Sequence, residues 1–122
     1  MWAILGLLIG IFIGLISGVQ IPSVYSQYLA MAILASIDSL VGAALAALQK
    51  TFNSGIFFSG FVMNAIFAAL LTLIGNLLGV DLSLATIIVF GTRIFSNSAA
   101  IRRLFITKRN LKINNTTSNE EN

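Results

Sequence analysis

"IIVFGTRIFSNSAAIRR", residues 87–103, begins as an apolar run and closes on a pair of arginines. Between them stands Arg93, nine residues before Arg102 and deep in the apolar stretch. The segment from Leu84 to Ile106 is long enough to cross about 30 Å of hydrocarbon, with Arg102 and Arg103 marking the exit. Thr86, Arg93, Asn97 and Arg103 fall on roughly one face, which also suits an amphipathic helix lying in the membrane interface. The spanning reading completes a set of four crossings, and it requires a partner for Arg93.

The composition places the whole chain in the bilayer. Of 122 residues, 57% are hydrophobic and 9% charged, with a mean hydropathy of +0.96. A soluble domain carries roughly a quarter charged residues, and a globule this small could not hide so much apolar surface. There is no Cys and no His, which excludes disulfides, thiol or imidazole catalysis and His/Cys metal sites. Asp38, Asp81, Glu120 and Glu121 are the only acidic residues, too few and too scattered for a hydrolase carboxylate pair. We therefore expect no catalytic site, no metal and no cofactor.

Working outward from 84–106, three more apolar segments appear, at about 2–19, 24–48 and 56–78. The first lacks a basic leader and a cleavage site, so it reads as a retained helix. Pro22 breaks the chain, with Ser23 positioned to cap the second helix, and Gly79 and Asp81 stop the third, with Ser83 positioned to cap the fourth. Tyr25 and Tyr28 suit a membrane–water boundary. The connections are short, so the expected fold is all-α: an integral membrane four-helix bundle of residues 1–106 with sequential helices antiparallel.

Residues 107–122, "TKRNLKINNTTSNEEN", form a polar tail expected to be disordered. With four spans, Lys50, Arg102, Arg103, Lys108, Arg109 and Lys112 share one side of the membrane. The positive-inside rule makes that side, and both termini, cytoplasmic, with the cations facing anionic lipid headgroups rather than nucleic acid. The "NTT" at Asn115 matches a glycosylation acceptor, but a cytoplasmic tail does not meet that machinery, so the match is chance.

Three polar or small-residue features remain inside the membrane. Gly6, Gly10, Gly14 and Gly18 recur every four residues, a flat stripe on which another helix of this chain or of a second protomer could pack closely. The third helix has a similar face of Gly60, Asn64, Ala68 and Gly75, with Thr72 adjacent, and Asn64 reads as interhelical glue. Asp38 and Arg93 are the third feature. Counted from the helix ends at Gln49 and Arg102, they lie at depths of roughly 16 and 14 Å on helices running the same way. An ion pair is the economical inference, with Asn64 and Asn97 available to the remaining donors and acceptors.

A weak internal repeat supports the pairing: "LAMAILASID" (29–38) aligns with "LATIIVFGTR" (84–93), and "FIGLIS" (12–17) with "FAALLT" (67–72). On that alignment the protein would be two similar helical hairpins related by an axis along the membrane normal.

The opening "MW" with its spaced glycines, "IPSVYSQYLAMAILASIDSLVG" (21–42), "SGFVMN" (59–64), "LGVDL" (78–82), "FGTRIF" (90–95) and "AIRR" (100–103) resemble the small basic protein family of multi-pass bacterial membrane proteins. The resemblance implies a cell-membrane location and, through genomic neighbourhood, a loose link to cell division; it supplies no mechanism. Where that family carries basic residues soon after D-S-x-x-G, this chain has "GAALAALQK" (42–50), which would place Asp38 nearer the membrane face and loosen its level with Arg93. The expected function is a non-enzymatic interaction or assembly component; the alternative is a small oligomeric transporter or channel lined by Asp38, Asn64 and Arg93.

Overall fold

The computed structural model describes residues 2–120; Met1 of the opening motif and the last two tail residues lie outside the described set. Four helices follow one another: α1 (Trp2–Ser17), α2 (Ser23–Leu48), α3 (Ser54–Leu78) and α4 (Ser83–Glu120). The last three are long and apolar enough to cross a membrane, whereas α1, at 16 residues, extends about 24 Å.

Local chemistry explains the breaks. Gly18 at φ 61° and Gly79 at φ 69° take the left-handed conformation that ends α1 and α3. Lys50 takes the same conformation after α2 at φ 59°, and the Thr51 N–H closes the turn on the Ala46 carbonyl at 2.9 Å. Asn53 caps α3, its side chain accepting from the N–H groups of Gly55 and Ile56 at 2.9 and 3.1 Å. The two serines expected to cap sit one position inside their helices instead. Pro22 holds the N-cap of α2 without a side-chain hydrogen bond, because its ring already supplies the entry geometry. Ser83 donates to Asp81 and accepts from the Gln27 side chain at 2.9 Å, tying α4 to α2.

The fourth helix corrects the expected tail. It does not end near Ile106 but runs unbroken to Glu120. Low complexity means that residues 107–120 bury nothing, and they are all exposed; yet no glycine or proline lies beyond Gly91 to stop the helix.

The bundle is built on α2, which packs along both α3 and α4; α3 and α4 touch each other far less. Its interior is small and polar. Ala35, Ala68, Asp38 and Thr72 are almost fully buried, joined by Met31, Phe90, Ser39, Ser83 and Thr86. Thr72 and Thr86 return their hydroxyls to carbonyls of their own helices at 2.8 and 3.5 Å. The large apolar side chains point outward, which is the arrangement lipid favours and water forbids.

Helices α2 and α4 run parallel in a constant register. Asp38 meets Arg93, and Asn97 lies against Gly42, each pair 55 residues apart (38 and 93; 42 and 97). The internal repeat is thus realised as the α2–α4 seam, with α4 packed lengthwise on α2. The outer helices do not follow the symmetry: α3 buries a face on α2, while every described side chain of α1 is exposed. The reason is legible at the aligned positions. Where α3 presents Asn64 and Ala68, α1 presents Ile9 and Ile13, too bulky for the same close approach.

At the end of α3, a Cβ on Gly75 would stand 2.6 Å from the Val80 carbonyl oxygen and 3.0 Å from the Leu82 nitrogen. Both are backbone atoms and cannot yield cheaply. Gly75→Ala should therefore cost about 1–3 kcal/mol, read as a lower thermal midpoint in detergent. Gly60→Ala, whose Cβ meets nothing within 4 Å, should leave the midpoint within error.

Candidate functional site

The charged cluster forms where α2, α3 and α4 converge. Asp38 is fully buried on α2, and Arg93 approaches it from α4 with Nη2 at 3.3 Å from Oδ2. Asn64 enters from α3, donating from Nδ2 to the same Oδ2 at 3.5 Å and to the Ser39 hydroxyl at 3.4 Å. These last contacts are long, and the ion pair is single rather than bidentate. The contact between Asp38 and Arg93 forms despite the unusual sequence after Gly42, and α2 continues helically to Leu48.

The two charges differ in setting. Asp38 is 0% exposed and the Arg93 side chain 50%. The guanidinium borders open space on two sides: together with Asn64 it lines a cavity of about 240 Å³ between α2 and α3, and another of about 220 Å³ between α3 and α4. The first is also lined by Thr51, Phe52 and Asn53, and by Phe57 and Phe61 with ring centroids 6.1 Å apart. The second is apolar apart from Asn64, Thr86 and Arg93.

Of the residues singled out from sequence, the structure brings together Asp38, Arg93 and Asn64. Asn97 does not join them; it sits one turn along α4, with its side-chain nitrogen 3.7 Å from where a Gly42 Cβ would be. Gly6, Gly10 and Gly14 meet nothing within 4 Å, nor does Gly60, so no helix of this chain uses these surfaces. Gly18 serves the left-handed turn after α1. Lys50, Arg102, Arg103, Lys108, Arg109 and Lys112 are all exposed. Among the described residues, no group of three or more Asp, Glu, His or Cys could hold a metal ion.

Ser39 was not anticipated: one helical step of about 100° turns it off the face of Asp38, yet it is buried and accepts from Asn64. A polar layer at the other end of the bundle was also missed: Gln27 with Ser83, and Asn76 donating to the Tyr28 hydroxyl at 3.2 Å. The 55-residue offset of the repeat carried the signal for the first of these, since it sets residue 27 beside residue 82.

Residues 21–106 match the model of a family described as "Protein of unknown function (DUF1290)". The chain belongs to this family. The DUF1290 chain is 49% identical over 116 residues to a "Small basic protein" of Bacillus subtilis, covering 94% of this chain and 96% of the relative. It is 41% identical over 105 residues to uncharacterized proteins of Mycobacterium bovis and Mycobacterium tuberculosis, covering 84% of this chain and 87% of each. No solved structure matches the DUF1290 chain. The matched region contains Asp38, Asn64 and Arg93, and no enzymatic family is indicated.

Removing one member of the pair should be felt unequally. Arg93→Ala strands a carboxylate with no exposure and should cost about 3–5 kcal/mol. Asp38→Ala should cost less, because the Arg93 side chain it leaves unpaired is already half exposed, whereas Asp38 has no exposure at all. Folded yield and thermal midpoints in detergent test the order, and exchanging the two residues should partly restore both.

Proposed function

We propose that this protein is a non-enzymatic assembly component of the bacterial cell membrane: α2–α4 form a locked anchor, and α1 offers its glycine face to a transmembrane helix of a partner protein. The observation that carries this reading is the loose packing of α1, which only borders α2–α4 through Ile4 and Leu7. All its described side chains are exposed, and Gly6, Gly10 and Gly14 face open space. Lipid tails provide no drive to bury such a helix, so association would rest on close backbone packing, which this spacing favours. Both termini are cytoplasmic in this reading, with Arg102, Arg103, Lys108, Arg109 and Lys112 near or beyond the anionic leaflet surface on the extended α4. The resemblance to the small basic protein family supports looking first among membrane proteins of cell division.

A transport reading draws on Asn64 and Arg93 standing between two cavities. It requires flux in liposomes that is lost in Asp38→Asn, and flux of that kind would displace the assembly reading.

The chain has no cysteine, so single-cysteine variants report cleanly. A photocrosslinker attached at Gly10→Cys should capture a discrete membrane protein in cells, whereas one at the lipid-facing Phe95→Cys on α4 should not. Adding Gly14→Ile to the Gly10→Cys variant should abolish capture without lowering the thermal midpoint, since nothing stands within 4 Å of a Cβ at Gly14. Equal capture from both positions would count against the proposal, as would loss of stability in Gly14→Ile.

A further inference from the structure

At the end of the bundle opposite Arg102 and Arg103, the start of α2, the end of α3 and the α3–α4 turn border an open cavity of about 250 Å³. Gln27, Gly75, Asn76, Gly79, Val80 and Asp81 line it. Its polar side chains are ordered by hydrogen bonds that use donors and leave oxygens over. Asp81 can only accept, so the Ser83 hydroxyl commits its proton there, which obliges Gln27 to present Nε2 to Ser83, at 2.9 Å. Asn76 spends Nδ2 on the Tyr28 hydroxyl at 3.2 Å. Among the described residues, nothing donates to Gln27 Oε1, Asn76 Oδ1 or Asp81 Oδ2. Asp81 also lacks a countercharge: the chain has no Lys or Arg at 1–49 or 51–92, and the ion pair among the described residues joins Asp38 to Arg93. The backbone adds to the same sign. Gly75 and Gly79 offer the cavity only their main chain, and α3 ends here, where its last carbonyls and its dipole are negative.

We propose that this cavity binds a calcium ion through Asp81, Gln27 and Asn76 oxygens, with turn carbonyls and water completing the shell. The donor types decide the class of ion. Amide and carbonyl oxygens around one carboxylate match calcium, which accepts about six to eight oxygens in irregular geometry, whereas magnesium demands a tight octahedron. Transition metals prefer imidazole or thiolate, and the chain has neither. No set of several acidic residues is needed, because neutral oxygens supply most of the shell. One carboxylate in an open site belongs with affinities of about 10⁻⁴–10⁻³ M. Asp81 and Asn76 are exposed and Gln27 is half-buried, so the ion reaches them from water without a helix moving. The inference is independent of what α1 packs against and of the Asp38–Arg93 pair.

The full chain carrying Trp2→Phe, in phosphatidylcholine nanodiscs, is titrated with Tb³⁺, a luminescent stand-in for Ca²⁺, and emission excited through tyrosine is read. The two tyrosines, Tyr25 and Tyr28, both lie in the first turns of α2, so an ion in this cavity is the one they sensitise. Saturable emission is expected, displaced by millimolar Ca²⁺ and not by K⁺ at equal ionic strength. Asp81→Asn keeps an acceptor for Ser83 and removes the charge; it should weaken binding about tenfold or more. Asn76→Ala, at an exposed position, should weaken it by a smaller factor, and Glu120→Gln with Glu121→Gln should change nothing. Ca²⁺ should also raise the thermal midpoint of the native chain but not of Asp81→Asn. The proposal is overturned by absence of saturable emission, by K⁺ displacing as well as Ca²⁺, by unchanged binding in Asp81→Asn or Asn76→Ala, or by emission lost with the two tail glutamates.

Discussion

A full charge in the middle of a membrane helix can settle only where another group meets it, and this constraint arranges the whole bundle. Asp38 on α2 and Arg93 on α4 are each placed about two and a half turns or more from their helix exits, too deep for easy escape to the headgroups. Their contact draws the two helices together along one line, and Asn64 recruits α3 to the same point. Once these three groups converge, the surrounding residues must be small enough to let the backbones approach. Ala35, Ala68 and Thr72 are the residues that do so.

The same constraint explains why the protein has its polar residues inside and its bulk outside. In water, Leu, Ile and Phe would form the core; here they cover the surface, and the two largest fully buried side chains are Thr72 and Asp38. Hydroxyls that cannot reach a neighbouring helix return to their own backbone, so depth carries little penalty for Thr72 or Thr86. Helix α1 answers to a different rule. It has no charge to neutralise and no polar face to bury, and at about 24 Å it is short for the hydrocarbon thickness. It is not among the three helices long and apolar enough to cross a membrane, and all its described side chains are exposed.

Much of this was legible in the residues. Hydropathy marked the helices and glycine their ends, while counting from the helix exits brought Asp38 and Arg93 to one level. Asn64 could be seen as glue because it was the one strong hydrogen-bonding group at depth on its helix. What escaped was of another kind. Glycine spacing states how closely α1 can be approached but not by which helix. The polarity of residues 107–120 states that they bury nothing, which is a different matter from whether they are helical. Capping by Ser23 and Ser83 failed by one residue, a shift that side-chain chemistry alone does not resolve. The cavities belong to the packing of three helices, and no single segment encodes them.

The constant register of the α2–α4 seam has a consequence for pairing between copies. Because aligned positions of the two helices face each other, an α2 that met the α2 of another copy in this register would set Asp38 against Asp38. An α4 meeting another α4 would set Arg93 against Arg93. Like charges at that depth repel with little screening, so both homotypic pairings are penalised and only the mixed one is rewarded. The ion pair thus favours the α2–α4 seam over a homotypic pairing of either helix in this register.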